Sequence, residues 1–254
     1  MAREVILDIE TTGLYTDEGE RLVSIGMVEM IDGTETGITM EFIVNPGRES
    51  SPGAFAVHKM TLEYLSQFPG FAVYAQQVRD FIGNDPVIIT CRAGLHNGKP
   101  YTLDKDFVEN ELKLAGVAPI QEGQWVNARL IAEEMFGYAG AKLDSLLDRY
   151  KINREERTEK GHGALMDAKL LAKIYARLKT DYANFKKSGA SAANDMAREI
   201  PVEWKRVLQG VQDIGAEEAV IVGGALRDLF NKRAIKDVDI FLKSRGGTEA
   251  NKRL

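Results

Sequence analysis

Three strand-like segments precede any helical pattern, and this order limits the folds that the chain can adopt. Residues 5–10 (VILDIE) alternate between two faces, and residues 22–30 and 37–44 are two further strand candidates. Asp32 and Gly33 separate the second and third segments and are typical of a hairpin turn. We therefore predict an antiparallel meander at one side of a sheet.

The rest of the first 180 residues is mainly helical in pattern. Residues 61–82 have helical periodicity that is broken near Pro69 and Gly70, which indicates two helices. Residues 86–91 (PVIITC) form a short apolar run between turn signals, which is typical of a buried central strand. Further helices are predicted over residues 107–115, 129–136, 143–150 and 164–178. The chain is therefore predicted to be an α/β protein with a mixed central sheet flanked by helices.

Composition narrows the class of protein. The chain has 254 residues, of which 33 are Lys or Arg and 38 are Asp or Glu, so the net charge is −5. This balance argues against histone-like binding of nucleic acid through bulk charge, but it leaves open an enzyme that uses bound cations. With one cysteine, no signal-peptide pattern and no apolar run of about 18 residues, we expect a cytoplasmic protein.

A change of composition divides the chain. Residues 186–195 (KKSGASAAND) are small, polar and without periodicity, as in a linker. A helix from about Pro201 and strands at 219–222 and 238–242 follow. We therefore predict a domain over 1–185, a linker over 186–199 and a short C-terminal α/β segment over 200–254.

Asp8 and Glu10 are the first candidate chemical groups. Residues at i and i+2 of a strand share a face, about 6–7 Å apart. Because Ile6 is on the same face, two carboxylates there are costly unless a cation neutralises them, and oxygen ligands favour Mg²⁺ or Mn²⁺. The alternative is an edge strand with a solvated acidic face.

A second signal is the segment from Gly161 to Asp167. Glycines flank His162, which predicts a turn just before the last helix of the domain. Asp167 falls in the first turns of that helix, near the positive end of its dipole. The alternative is a capped helix with a surface histidine.

A third signal is one face of a helix over residues 103–112. Asp104, Phe107, Val108 and Glu111 lie at i, i+3, i+4 and i+7, so Asp104 is predicted to point inward with the packing side chains. Asp106 is about 200° away around the helix and is predicted to be a surface charge.

Together these segments resemble the DEDDh branch of the DnaQ-like 3′–5′ exonucleases, which have an RNase H-like fold. The likeness is greatest to the epsilon subunits of bacterial DNA polymerase III, which proofread newly made DNA. The matching segments are residues 5–14, 21–30, 45–71, 106–112, 143–152 and 162–175. The resemblance implies an exonuclease that releases nucleoside monophosphates from single-stranded DNA 3′ ends, with a DNA polymerase as a partner.

The resemblance also implies the roles of five residues. Asp8, Glu10, Asp104 and Asp167 correspond to the ligands of two Mg²⁺ or Mn²⁺ ions, and His162 corresponds to the general base. The spacing of His162 and Asp167, with four residues between them, selects the DEDDh branch.

The same resemblance points to the substrate-binding residues. Thr11, Thr12, Gly13 and Leu14 directly follow Glu10 and correspond to the loop that seats the terminal nucleotide, with Leu14 or another apolar side chain there as a wedge against the last base. His58 lies in a segment that borders the substrate in relatives, although a packing role for His58 is an equal alternative.

The chain departs from the family pattern in two places. The family usually reads H-N-A-x-F-D, with the aspartate five residues after the histidine, whereas Asp104 follows His96 by eight. About three extra residues therefore lie in a loop near the path of the substrate. The family also commonly has Asp-Thr where this chain has Asn127 and Ala128.

The C-terminal segment resembles the head of the class II tRNA nucleotidyltransferases and poly(A) polymerases. The resemblance rests on Gly223, Gly224, Arg227, Asp228, Asp237 and Asp239. Residues after 242 offer no strand for the third carboxylate of that family, so we expect an inactive, truncated or vestigial head. The alternative is a small strand-turn-helix with an acidic strand.

Three other functions remain open at this point. An exonuclease of the same family that trims RNA would share all of these motifs, because hydroxyl recognition depends on the shape of the pocket. A nucleotidyltransferase acting on RNA 3′ ends would need the missing carboxylate. A non-catalytic module that binds a polymerase is the third alternative.

Overall fold

The computed structural model describes residues 1–153 and 163–199, together with the backbone of strands at 218–222, 239–243 and 252–253. Side chains are described as far as residue 188. The chain divides into two compact units, Met1–Ala183 and Asn184–Leu254.

The first unit contains a five-stranded mixed sheet. Its strands and those of a separate hairpin are β1 (Arg3–Thr11), β2 (Leu22–Ile31), β3 (Thr34–Ile43), β4 (Val87–Ile89), β5 (Ala93–His96), β6 (Lys99–Thr102) and β7 (Trp125–Asn127). The order in the sheet is β3-β2-β1-β4-β7, and β5 pairs with β6 outside it. Strands β1, β2 and β3 are antiparallel, while β4 is parallel to β1 and to β7. The predicted meander and the mixed sheet are confirmed.

Helices flank this sheet and connect its strands. They are α1 (Pro52–His58), α2 (Leu62–Leu65), α3 (Ala75–Ile82), α4 (Leu103–Leu114), α5 (Ala128–Gly140), α6 (Leu143–Tyr150) and α7 (Ala164–Glu199). Helix α5 is interrupted at Gly137, where φ is 72°. In the described part of the chain, no helix combines the length and the apolar character needed to cross a membrane.

Both faces of β1 are buried, and each faces a different layer of helices. Val5 packs with α3 and α4 in one cluster, and Ile6 packs with α5, α6 and α7 in the other. A strand that is covered on both sides is typical of the centre of an α/β sheet. Asp8 shares the face of Ile6, so the alternation along β1 directs this carboxylate to the side on which α7 lies.

Helix α7 is longer than the pattern predicts. The sequence predicts a helix over 164–178 and a linker over 186–199, but the backbone is helical through Glu199. Alanine, the best helix former, occupies positions 190, 192, 193 and 197, and Lys187, Met196, Arg198 and Glu199 are also good helix formers. A linker in this segment is therefore a helical one.

The described backbone of the second unit includes a small antiparallel sheet. Strands β8 (Glu218–Val222), β9 (Asp239–Lys243) and β10 (Lys252–Arg253) have the order β10-β9-β8. Strands β8 and β9 correspond to the two predicted strands. The sequence predicts no strand after residue 242, and β10 has only two residues, which is too short to give a periodic pattern.

Candidate active site

Three carboxylates converge where β1 meets the start of α7. Ligand oxygens of Asp8, Glu10 and Asp167 all lie within 4.8 Å of one another. Glu10 and Asp167 are buried and Asp8 is half-buried. Asp167 is in the first turn of α7, and its backbone N–H donates to the carbonyl of Gly163 at 2.9 Å. Like charges held this close, in largely buried positions, favour a bound cation.

Asp104 is a fourth carboxylate beside this group. It lies in the first turn of α4 and is only 2% exposed. Its Oδ2 atom is buried without a hydrogen-bond partner. Burial, followed by the charge of Glu10, raises the pKa of Asp104 to about 8. A buried carboxylate oxygen without a partner, next to three converging carboxylates, fits a site for divalent metal ions.

Cys91 is a neighbour of Asp104 just after the end of β4. The thiol is buried, and burial together with the charge of Asp104 raises the pKa of the thiol well above its usual value. A neutral thiol at this position adds no further negative charge to the carboxylate group.

Gly26 allows the helix that carries Asp167 to approach the sheet. Gly26 pairs with Asp8 in the register of β1 and β2. A β-carbon on Gly26 would overlap the backbone of Leu165 and Ala164 at the start of α7. The absence of a side chain at Gly26 therefore brings Asp167 next to Asp8. We missed this residue in the sequence, although a glycine inside a strand is a known sign of close backbone approach.

Replacing Gly26 by alanine is expected to move α7 away from the sheet or to destabilise the domain. Overpacking a dense interior typically costs about 1–3 kcal/mol, and here the obstacle is backbone rather than a flexible side chain. The variant should lose several degrees of Tm and at least about tenfold in nuclease activity.

Gly123→Ala is a matched control, because a β-carbon at Gly123 meets open space. Thermal unfolding and strand hydrolysis would be measured for both variants. Wild-type stability and activity in Gly26→Ala would show that α7 does not depend on this close approach.

Hydrogen bonds around Thr12 hold the loop after β1. The Thr12 N–H donates to the carbonyl of Arg21 at 2.8 Å, and the Arg21 N–H donates to Thr12 Oγ1 at 2.9 Å. The Thr12 hydroxyl also donates to the carboxylate of Glu20. The Ser51 N–H donates to the Thr12 carbonyl at 2.7 Å. These bonds fix the loop from two sides.

The remaining loop residues have different exposures. Thr11 is buried and its hydroxyl donates to the carbonyl of Gly13 at 2.6 Å. A β-carbon on Gly13 would overlap the side chain of Glu20, so a larger residue here would displace the carboxylate that accepts from Thr12. Leu14 is 45% exposed. An exposed apolar side chain on a fixed loop suits the predicted role of a wedge against a base.

A half-buried ion pair joins α4 to the residue just before β2. Arg21 donates to both oxygens of Glu111, with Nε–Oε1 at 2.6 Å and Nη2–Oε2 at 2.8 Å. Glu111 is 2% exposed, in agreement with the predicted inward face of this helix. Bidentate pairs of this kind have defined geometry. The pair therefore fixes the orientation of the helix that carries Asp104.

Asp106 differs from its prediction. The sequence predicts a surface charge, but the carboxylate is half-buried and accepts a hydrogen bond from the Thr102 N–H at 3.0 Å. Burial raises its pKa. The prediction of an exposed surface charge is wrong because the helix begins at Leu103, where an early acidic residue can accept from an unpaired backbone N–H.

His58 is buried and both of its ring nitrogens have partners. Nδ1 accepts a hydrogen bond from the Met60 N–H at 3.0 Å, so the ring proton lies on Nε2, which is 3.1 Å from Ser50 Oγ. Burial lowers the pKa of His58. These contacts hold the end of α1 in place. A role in substrate binding remains a prediction, as does the role of His162, which lies outside the described residues.

The extra residues before Asp104 form a β-hairpin. Asn97 and Gly98 both have positive φ, 50° and 75°, as the turn of a two-residue hairpin requires. His96 is therefore next to the turn of the hairpin, while Cys91 lies just after β4, with Thr90 between them. The extra residues are predicted as part of a loop, although Asn-Gly between two short segments is itself a hairpin signal.

Asn127 connects the ends of two neighbouring strands. Its Nδ2 donates to the carbonyl of Cys91 at 3.1 Å, and its Oδ1 accepts from the Arg129 N–H at 3.1 Å. It thus caps α5 and holds the chain after β4. Where the family pattern commonly has a charged aspartate, this chain therefore has the neutral amide of Asn127, which holds the backbone on both sides.

Comparison with known proteins identifies the class. The model of the exonuclease family matches residues 5–175. The chain belongs to this family, with a DnaQ-like exonuclease domain. The DNA polymerase III subunit epsilon of Rickettsia felis is 37% identical over 179 residues, which span 69% of this chain and 73% of that protein. The subunit epsilon of Escherichia coli is 31% identical over 182 residues, 69% of this chain and 70% of that protein.

Solved structures agree with the fold. An exonuclease I structure has a TM-score of 0.57 and 14% identity, covering 95% of this chain and 53% of that one. The exonuclease I of Methylocaldum szegediense has a TM-score of 0.53 and 12% identity, covering 69% of this chain and 40% of that one. These neighbours confirm the RNase H-like exonuclease fold predicted from the sequence.

These comparisons do not support the resemblance of the C-terminal segment to nucleotidyltransferases. The family match ends at residue 175. Asp239 begins β9, while the other five residues of the nucleotidyltransferase-like pattern lie outside the described residues.

Proposed function

We propose that this 3′–5′ exonuclease acts on single-stranded DNA ends in the manner of a proofreading enzyme, and that it releases nucleoside monophosphates. The observation that carries the proposal is the convergence of the Asp8, Glu10 and Asp167 oxygens within 4.8 Å beside buried Asp104. The likeness to epsilon subunits supports DNA as the substrate and a DNA polymerase as the partner. We also propose that the protein is cytoplasmic.

The four carboxylates are proposed to hold two Mg²⁺ or Mn²⁺ ions. Such ions, when bound, would supply an activated water and stabilise the leaving 3′-oxygen. Asp8 and Glu10 hold their positions through the regular register of β1, and Asp167 through the close approach of α7. Asp104 is held on α4, away from solvent water.

The loop after β1 is proposed to receive the terminal nucleotide. The hydrogen bonds of Thr12 fix its backbone before substrate arrives, which lowers the entropy cost of binding. Leu14 packs against the last base, while Thr11 and Gly13 shape the turn beneath it. His162 accepts the proton of the attacking water, since an imidazole with a pKa near 6.5 is largely neutral at pH 7.

His162→Ala is expected to reduce turnover by about a hundredfold or more while single-strand binding stays within about threefold of wild type. A general base acts mainly on the chemical step, so kcat falls and Kd does not. Single-turnover hydrolysis and fluorescence anisotropy of a labelled strand would separate the two effects. A turnover within threefold of wild type would assign the proton transfer to another group.

The substrate preference can be tested directly with strands of one sequence in DNA and RNA. We expect faster hydrolysis of the DNA strand, with nucleoside 5′-monophosphates as the products identified by chromatography. Faster hydrolysis of RNA would favour the RNA-trimming alternative. Strand binding without hydrolysis of either strand would favour a non-catalytic polymerase-binding module.

We also propose an exonuclease domain over 1–185, a linker over 186–199 and a separate segment over 200–254. The boundary between the compact units after Ala183 supports this division. A chain truncated after Lys187 is expected to stay soluble and to retain at least half of the wild-type kcat. Insolubility or loss of hydrolysis on truncation would contradict the division.

The C-terminal segment is proposed to be inactive as a nucleotidyltransferase. The full chain should add neither CTP nor ATP to an RNA primer. Addition that disappears in Asp239→Asn would overturn this proposal.

A further inference from the structure

We propose, on the basis of the exonuclease function above, that the β5–β6 hairpin and the loop after β1 form a second base pocket. This pocket would hold the nucleobase next to the terminal nucleotide of a single strand. A cavity of about 200 Å³ lies between the hairpin, residues 14–17 and the first turn of α4.

The cavity adjoins the carboxylate site through two elements. Leu14 and Asp106 both line the cavity; Leu14 follows Glu10 by four residues in the loop after β1, and Asp106 follows Asp104 by two on α4. A strand whose terminal phosphodiester lies at the carboxylates therefore has its neighbouring nucleotide within reach of the cavity.

Aromatic side chains form one wall. The rings of Tyr15 and His96 are stacked, with centroids 3.5 Å apart and planes 9° from parallel. Tyr101 meets Tyr15 edge-on at 5.3 Å between centroids. The hairpin and the loop thus brace each other through these rings. Exposed aromatic faces bind any base by stacking, without regard to sequence.

The polar groups of the cavity suit a base better than a phosphate. Asp17 and Asp106 both line it, with Lys99 as the cationic residue among them. His96 Nε2 lies 3.2 Å from Asp17 Oδ1, so one oxygen of the Asp17 carboxylate already has a partner. Two carboxylates repel a phosphate but accept hydrogen bonds from the amino groups of a base.

The size of the cavity admits a base. At about 200 Å³ the cavity is large enough for a nucleobase and is open to solvent. With a base in the cavity, the sugar and phosphate would run along the rim, near exposed Lys99 and Leu14.

The hairpin has a second face that provides a control. Leu95 is 73% exposed and alternates with His96 along β5, so the two side chains point to opposite faces of the hairpin. Leu95 is absent from the lining of the cavity. Leu95→Ala therefore changes the hairpin surface without changing the proposed pocket.

The test compares a single-stranded oligonucleotide with the methyl ester of thymidine 5′-monophosphate. In this ester a methyl group replaces the neighbouring nucleoside, so the ester occupies only the terminal site. For Tyr101→Ala, the kcat/KM for the oligonucleotide relative to that for the ester should fall at least about tenfold, the range expected for one stacked base. The same ratio should change less than twofold in Leu95→Ala.

A second arm removes the base instead of the side chain. An oligonucleotide with an abasic site next to the terminal nucleotide should be a poorer substrate for wild type, and Tyr101→Ala should lose this discrimination. An unchanged ratio in Tyr101→Ala, or a parallel fall for both substrates, would overturn the pocket. A wild-type chain that hydrolyses neither substrate would instead refute the proposed function.

Discussion

Asp8→Asn is expected to reduce metal-dependent hydrolysis of single-stranded DNA by about a thousandfold or more, with the fold intact. The carboxylate is proposed to contact metal directly, so its loss removes both charge and ligand from the reacting centre. In the absence of metal the variant should be as stable as wild type or slightly more stable, because one of the crowded like charges is gone. Unchanged or higher stability is expected if Asp8 is an active-site residue, whereas lower stability is expected if Asp8 stabilises the fold.

Asp80→Asn provides the matched control for this result. Asp80 is exposed on α3, so the same chemical change there should leave hydrolysis near wild type. Hydrolysis rates in Mg²⁺ and urea unfolding without metal would be measured for both variants. Activity of Asp8→Asn within tenfold of wild type would show that the two-metal assignment is wrong.

Asp104→Asn is expected to reduce hydrolysis by about a hundredfold or more, while Asp106→Asn should reduce it less than tenfold. Asp104 is buried beside Glu10 with one oxygen lacking a partner, whereas Asp106 accepts a hydrogen bond from the backbone of Thr102. An amide at Asp106 can still accept that bond, at a cost of about 1 kcal/mol or less.

Initial rates on one strand, with Tm as a control for folding, would rank the two variants. The opposite ranking would mean that the hairpin before α4 has shifted the register of this helix. The metal-ligand assignment would then move to Asp106.

Much of the fold follows from local pattern. The alternation over residues 5–10 and the turn at Asp32 and Gly33 predict the meander, and both are local properties of the sequence. The apolar run at 86–91 predicts a buried central strand because both of its faces are covered. The burial of Asp104 also follows from the sequence, because Asp104 shares a helical face with Phe107 and Val108.

Other features depend on long-range packing that no local pattern specifies. The overlap that any side chain at Gly26 would have with α7 involves residues more than 130 positions apart. The stacking of Tyr15 on His96 likewise joins the loop to a hairpin that the sequence analysis describes only as extra residues. The convergence of Asp8 and Asp167 was therefore predicted from resemblance to a family, not from spacing.

The most direct test of the central claim is the fate of a 5′-labelled single strand of DNA incubated with the full chain in Mg²⁺ and in EDTA. With Mg²⁺ we predict a ladder of labelled products that shortens one nucleotide at a time from the 3′ end, and in EDTA an intact strand. A labelled mononucleotide released from the 5′ end at the earliest times, or the same ladder in EDTA, would contradict a metal-dependent 3′–5′ exonuclease built on Asp8, Glu10, Asp104 and Asp167.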